Sequence, residues 1–158
     1  MLNFGKTTST ELIAVFGTRA VTIGRRMCII TEGNFEYALE KARECDETRS
    51  KTGKQNCTLN EAFEESKHLP WLFGIPISVK DNHNIKGMLT TLGVTAKANN
   101  IKDSDCCIVS CAKNSGMIPF IKSNLPQMII TYDSFNFLWG RTLNPWNQNK
   151  SAGGSSGG

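Results

Sequence analysis

Two parts of this chain carry residue types able to move a proton. One is Lys80, and the other is the serines of a terminal run, Ser151-Ala152-Gly153-Gly154-Ser155-Ser156-Gly157-Gly158. A lysine acts as a base only when neutral, which takes burial and the absence of a close carboxylate. Alternation of period two places Ile75, Ile77 and Val79 on one face of a strand and Pro76, Ser78 and Lys80 on the other. Lys80 closes that strand. If the strand continues, Asp81 points the opposite way, which keeps its carboxylate off the amine. Serine hydroxyls donate and accept, and glycines let backbone approach closely. Taken alone, Lys80 also fits a solvated strand-end lysine, and the tail also fits a flexible linker. A phosphate-cradling loop fits less well, because no Gly-Lys-Ser/Thr ending is present.

Several elements must position these groups. Thr8-x-x-Glu11 has the form of a capping box, with Leu12, Val15, Phe16, Ala20 and Ile23 following at helical spacing. Gly17 weakens that helix slightly. A second helix is predicted over 34–47, with Phe35, Ala38, Leu39, Ala42 and Cys45 on one face. Residues 48–57 read as a polar loop. Thr58-x-x-Glu61 starts a third, shorter helix with Leu59, Ala62 and Phe63 inward, ended by Pro70. Beyond the Lys80 strand, Ser104 is placed to cap a further helix with Ile108, Cys111, Ala112 and Ser115 along one side. Gly116 is placed to end it in a left-handed turn. Met117 to Ile121 reads as a short buried strand, and from Lys122 onward the chain is loop-rich. Strand, helix, strand is a βαβ-like order, so the fold class is α/β with the N-terminal helices packed outside.

Composition excludes several function classes. The net charge of +4 is spread over Arg25-Arg26, Lys51, Lys54, Lys86, Lys97, Lys122 and Arg141, with no run dense enough for a nucleic-acid groove. No apolar run approaches the roughly 18–20 residues of a membrane span. The N-terminus has no positive region followed by an apolar stretch, so a cytoplasmic, non-secreted protein is expected. The six cysteines, Cys28, Cys45, Cys57, Cys106, Cys107 and Cys111, are then expected as free thiols. None forms a Cys-x-x-Cys pair and no histidine is usefully spaced, so neither zinc nor any cofactor is expected. Without a secretory route, the sequons at Asn56 and Asn149 read as chance.

Three blocks in order are more specific than either chemical group alone. GIPISVKDNHNIKGMLTTLGV (74–94) resembles the lysine-bearing segment of the amidase signature family. SGMIPFIKSNLPQ (115–127) resembles the segment after that family's next helix, and NPWNQNKSAGGSSGG (144–158) resembles its Gly/Ser-rich signature. The spacing agrees, with Lys80 and Ser155 separated by 75 positions. TSTELIAVFGTRAVTIGRRMCIITE (8–32) resembles the family's helical N-terminal region. Within the family, LPQMIITYDSFNFLWGRTLNPW (125–146) is most like the fatty acid amide hydrolases. The tRNA-linked glutamine amidotransferase branch would place an acidic residue soon after Asn124. Here Pro126-Gln127 and then Tyr132-Asp133 follow.

The resemblance implies a Ser–cis-Ser–Lys amidohydrolase acting on fatty acid amides or related lipophilic amides. Lys80 corresponds to the catalytic lysine and Ser155 to the bridging serine, with a cis peptide bond before it. His83 is weighed as a second base and set aside, since such a triad needs none. Ile129, Ile130, Thr131 and Tyr132 occupy the place that helps line an acyl channel, although ordinary core residues would read the same way. The nucleophilic serine and the oxyanion amides are expected downstream of Gly158, so the 158 residues alone are expected to be inactive. By the same resemblance, residues 1–158 are the N-terminal portion of one amidase domain. Residues 1–70 form its helical part, and residues 71–158 form part of a mixed sheet and the start of the Gly/Ser signature. Peripheral association with an intracellular membrane and a homodimer of the full-length enzyme are further implications. Exposed sheet edges would favour aggregation. The alternative is a non-enzymatic truncated paralogue or remnant.

Overall fold

The computed structural model describes residues 2, 6–52 and 68–158. The third predicted helix, from Thr58, lies outside the described residues.

Helix α1 spans Ser9–Arg19 and continues into a π-helical turn, Ala20–Gly24. Its start is the predicted capping box. Thr8 Oγ1 accepts from the Glu11 amide at 3.0 Å, and the Glu11 carboxylate accepts from the Thr8 amide at 2.9 Å. The other first-turn amides have a partner from outside the helix. Asp46 accepts from the Ser9 amide at 2.7 Å and the Thr10 amide at 2.9 Å. Burial alone would raise the Asp46 carboxyl, but the hydrogen bonds from Thr10 and Ser9 outweigh it and hold it below its ordinary 3.8. Asp46→Ala is therefore expected to cost about 1–2 kcal/mol at neutral pH, measured by urea denaturation. A carboxyl with a lowered folded-state pKa stabilises fully above its ordinary value and ceases to do so as pH falls through the lowered one. The gap between wild type and variant should therefore close in acid.

The inward face of α1 is not the predicted one. Ser9, Ile13, Gly17, Ala20 and Gly24 are buried, while Val15, Phe16 and Ile23 face outward. The period is right and the phase is wrong, because α1 packs through its small residues. A Cβ on Gly17 would stand 3.3 Å from the Phe35 ring, so this glycine sets how closely α2 approaches.

Helix α2, Phe35–Thr52, buries Ala38 and Ala42, with Phe35, Leu39 and Cys45 packed beside them. It runs past the predicted end at residue 47. Arg49 reaches across to the Phe73 carbonyl at 2.9 Å, and Thr48 and Ser50 hydroxyls bond back to Glu44 and Glu47 carbonyls. These bonds keep a polar stretch helical where periodicity gave no sign of it.

The main sheet has the order β1 (Ile30–Gly33), β3 (Ile118–Ser123), β2 (Pro76–Lys80). β2 runs parallel to β3 and β1 antiparallel to it, so the sheet is mixed. Pro76 opens β2, which among the described residues pairs with β3 alone. Helix α3, Cys107–Asn114, makes the crossover between β2 and β3. Its N-cap is Cys106 rather than Ser104, whose hydroxyl bonds Asp103 instead. Its buried residue is Val109, while Ile108 and Cys111 are exposed, a second error of phase. Gly116 does end the helix in the left-handed region, φ +87°, seated against the Phe73 backbone. β3 begins one residue later than predicted and ends two later, and all six of its residues are buried.

Two apolar clusters hold this arrangement. Ile13, Ala20, Ala38 and Ala42 of the N-terminal helices pack on Ile118, Phe120 and Ile121. Val79, Ile85, Met88 and Val109 form the other. Short strands β4 (Phe135–Asn136) and β5 (Gly140–Arg141) pair in the C-terminal third. Among the described residues, no helix is long and apolar enough to cross a membrane.

Candidate active site

Lys80 and Ser123 are the last residues of parallel strands and are partners in register. The site therefore lies at the carboxyl end of the sheet, where open α/β sheets place ligands. The Gly/Ser tail is docked at this end rather than trailing as a linker. The Ala152 amide donates to the Thr142 carbonyl at 3.1 Å, the Ser134 amide to Gly153 at 3.0 Å, and the Gly157 amide to Asn124 at 3.1 Å. A Cβ on Gly157 would stand 2.4 Å from Ser134 Cβ, and one on Gly154 would stand 2.9 Å from the Tyr132 backbone. Only glycine permits this seating.

The seating brings the two candidate groups together. Lys80 Nζ donates to Ser155 Oγ at 2.7 Å. The Gly154–Ser155 peptide bond is cis. Burial holds the Lys80 amine below its ordinary 10.5, which favours the neutral form that can accept a proton. With the amine neutral, the same contact can reverse, the Ser155 hydroxyl donating to nitrogen.

Asp81, the carboxylate nearest in sequence, is turned away from Lys80. It is buried, and its Oδ2 accepts from the Thr91 amide at 3.1 Å and the Thr91 hydroxyl at 2.7 Å. Its counter-charge is Lys122, at 3.5 Å from Oδ1. Lys122, counted above only among the dispersed basic residues, is fully buried in the central strand. It donates to the Asp81 carbonyl at 3.1 Å, to Thr90 Oγ1 at 3.0 Å and to the Leu89 carbonyl. Burial lowers its pKa, against the pull of Asp81 and Glu32. Glu32, its register partner on β1, accepts from the Leu89 amide at 2.7 Å. Burial raises the Glu32 pKa.

From Asp81 the polar network runs to the tail. Thr91 Oγ1 accepts from the Trp139 indole at 2.9 Å, and the Trp139 amide donates to Asn136 at 2.7 Å. Asn136 donates to Asn124 at 2.8 Å, and Asn124 donates to Thr142 at 3.2 Å. Asn124 and Thr142 are the residues that receive the tail. His83 stands elsewhere, its Nδ1 facing Cys106 Sγ at 4.0 Å.

Comparison with known proteins places this geometry. The family model described as Amidase matches residues 35–158. The chain belongs to the amidase family. Among curated relatives, fatty-acid amide hydrolase 1 of Sus scrofa is 42% identical over 87 residues, covering 55% of this chain and 15% of that protein. Amidase 1 of Gibberella moniliformis is 34% identical over 158 residues, covering 100% of this chain and 28% of that protein. A solved fatty acid amide hydrolase superposes with a TM-score of 0.82 at 29% identity, over 99% of this chain and 25% of that one. The chain thus covers 15%, 28% and 25% of the lengths of these three proteins, respectively.

The segment expected to meet an acyl chain is exposed in this chain. Ile129 is 38% exposed, Ile130 78% and Tyr132 92%. Met128 and Ile129 take φ of 53° and 64°, unfavourable for a β-branched residue, in a turn tied down by Met128 N–H to the Leu92 carbonyl. The Thr131 hydroxyl is taken up by the Asp133 carbonyl at 3.0 Å. Because Gly154 abuts Tyr132, this apolar turn adjoins the tail that carries Ser155. Sequence reasoning missed the supporting residues Asp81, Thr91, Asn124, Asn136, Trp139 and Thr142. The only local sign of them was Asp81, read as turned away from Lys80.

Proposed function

We propose that the chain supplies the lysine and the bridging serine of a Ser–cis-Ser–Lys amidohydrolase acting on fatty acid amides or related lipophilic amides. The observation that carries this reading is the 2.7 Å contact between Lys80 and Ser155. A neutral Lys80 accepts the Ser155 proton while Ser155 accepts that of a nucleophilic serine, so the attacking oxygen is activated without a histidine. The attacking serine and the donors that hold the oxyanion belong to sequence following Gly158, and the 158 residues by themselves are inactive. The exposed apolar turn at Ile129, Ile130 and Tyr132 suits an alkyl chain running away from the reacting carbonyl. Close likeness to a fatty-acid amide hydrolase over 87 residues supports the same substrate class.

The test assays the 158-residue chain beside its in-frame continuation, read from the transcript past codon 158. Ammonia release is followed from a primary fatty acid amide and from a short-chain amide. The continued chain should hydrolyse the fatty amide preferentially and the 158-residue chain should hydrolyse neither. Hydrolysis by the 158-residue chain that is lost on Lys80→Ala would overturn the reading, as would an inactive continuation.

A further inference from the structure

His83 is idle in the amide chemistry but faces a nucleophile of its own. Its Nδ1 stands 4.0 Å from Cys106 Sγ, and both residues are half-buried. His83 lies in the turn that follows Lys80, its amide donating to the Lys80 carbonyl at 3.0 Å. Cys106 is the N-cap of α3, and its thiol makes no capping bond. Two bonds between these segments fix the pair. The Cys106 amide donates to the Asn84 carbonyl at 3.0 Å, and the Lys86 amide donates to the Asp105 carboxylate at 2.8 Å. Cys106 also packs against the apolar cluster of Val79, Ile85, Met88 and Val109. A thiol beside an imidazole is the arrangement that activates sulfur for attack. With the ring proton on Nε2, Nδ1 accepts from the thiol. Such contacts are long before the reacting partner arrives and tighten with it. The two cysteines that follow on α3, Cys107 and Cys111, are the more exposed thiols. Access alone would make them react first, so this helix separates activation from exposure.

We propose that Cys106 is a modification site, a nucleophile with His83 as its base, that takes up one half of a small uncharged disulfide. The thiol proton passes to His83 Nδ1 as Cys106 Sγ attacks one sulfur of the disulfide. The sulfur–sulfur bond of the reagent breaks and a new one forms to Cys106. The departing thiolate takes the proton from the imidazolium and leaves as a thiol. Cys106 is oxidised and the departing sulfur is reduced, so no further oxidant is needed. The half-buried position and the apolar wall favour a small, uncharged reagent. The site stands independently of the amidase reading.

The test treats the full chain with 2-hydroxyethyl disulfide at neutral pH, stops the reaction with acid at intervals, and follows each cysteine by peptide mass spectrometry. Cys106 should be modified about tenfold or more faster than Cys107 and Cys111, despite its lower exposure. His83→Gln should slow Cys106 by about tenfold or more and leave Cys107 and Cys111 at their wild-type rates, which also reports that α3 is intact. In urea the preference for Cys106 should vanish, because the pair is joined only by the fold. Modification of Cys106 no faster than of its two neighbours, an unchanged Cys106 rate in His83→Gln, or a preference that persists in urea would each overturn the proposal.

Discussion

Lys122→Met is expected to destabilise the chain by about 3–5 kcal/mol, a large share of the roughly 5–15 kcal/mol of an ordinary domain, and to move the urea midpoint down accordingly. The substitution keeps most of the apolar stem and removes the charge. Asp81 is then left buried, with an Oδ1 that has no hydrogen-bond partner and no counter-ion at 3.5 Å. The carbonyls of Asp81 and Leu89 and the Thr90 hydroxyl also lose their donor. Most of the cost is the stranded carboxylate, so the double variant Lys122→Met with Asp81→Asn should recover part of it. A double-mutant cycle measured by denaturation reads that recovery directly. If Lys122→Met alone unfolds like wild type, the buried pair does not hold the end of β2 and β3 together.

The second large effect falls on turnover. In the chain together with its nucleophile, Lys80→Ala and Ser155→Ala should each lower kcat/KM by about 10²–10⁴-fold with little change in KM. Removing both should cost little more than removing either, because a relay acts as a unit. The pH profile carries the sign. Lys80 works as the neutral base, so kcat/KM should rise with pH through its pKa, and burial sets that rise below the ordinary lysine value of 10.5. Additive losses in the double variant would mean that the two groups act separately.

How much of this was legible in the sequence depended on the kind of interaction. The capping box, the β2 alternation and the Gly116 stop are local, and each stands where the sequence places it. The faces of α1 and α3 were misread because the bulkiest residues were taken as inward. Close packing kept Ala20 inward as predicted, added Ile13, Gly17 and Gly24 on α1, and left Val15, Phe16, Ile23 and Ile108 outward. The proximity of Lys80 and Ser155 was accessible only through the three ordered blocks. Nothing in the spacing of 75 residues dictates a 2.7 Å contact. Lys122 was invisible because a lysine in a central strand looks like a surface residue until its partners, Asp81 and Glu32, are known. The buried Asn124, Asn136 and Thr142 likewise belong to non-local bonds that no periodicity encodes.

The measurement that bears most directly on the Lys80–Ser155 relay is the titration of Lys80 itself. The Nζ resonance of the chain labelled with ¹⁵N-lysine would be followed with pH and assigned by its loss in Lys80→Met. The expected result is a midpoint below 10.5 that shifts in Ser155→Ala. A lysine that titrates at or above 10.5 and ignores the loss of the Ser155 hydroxyl would contradict the relay.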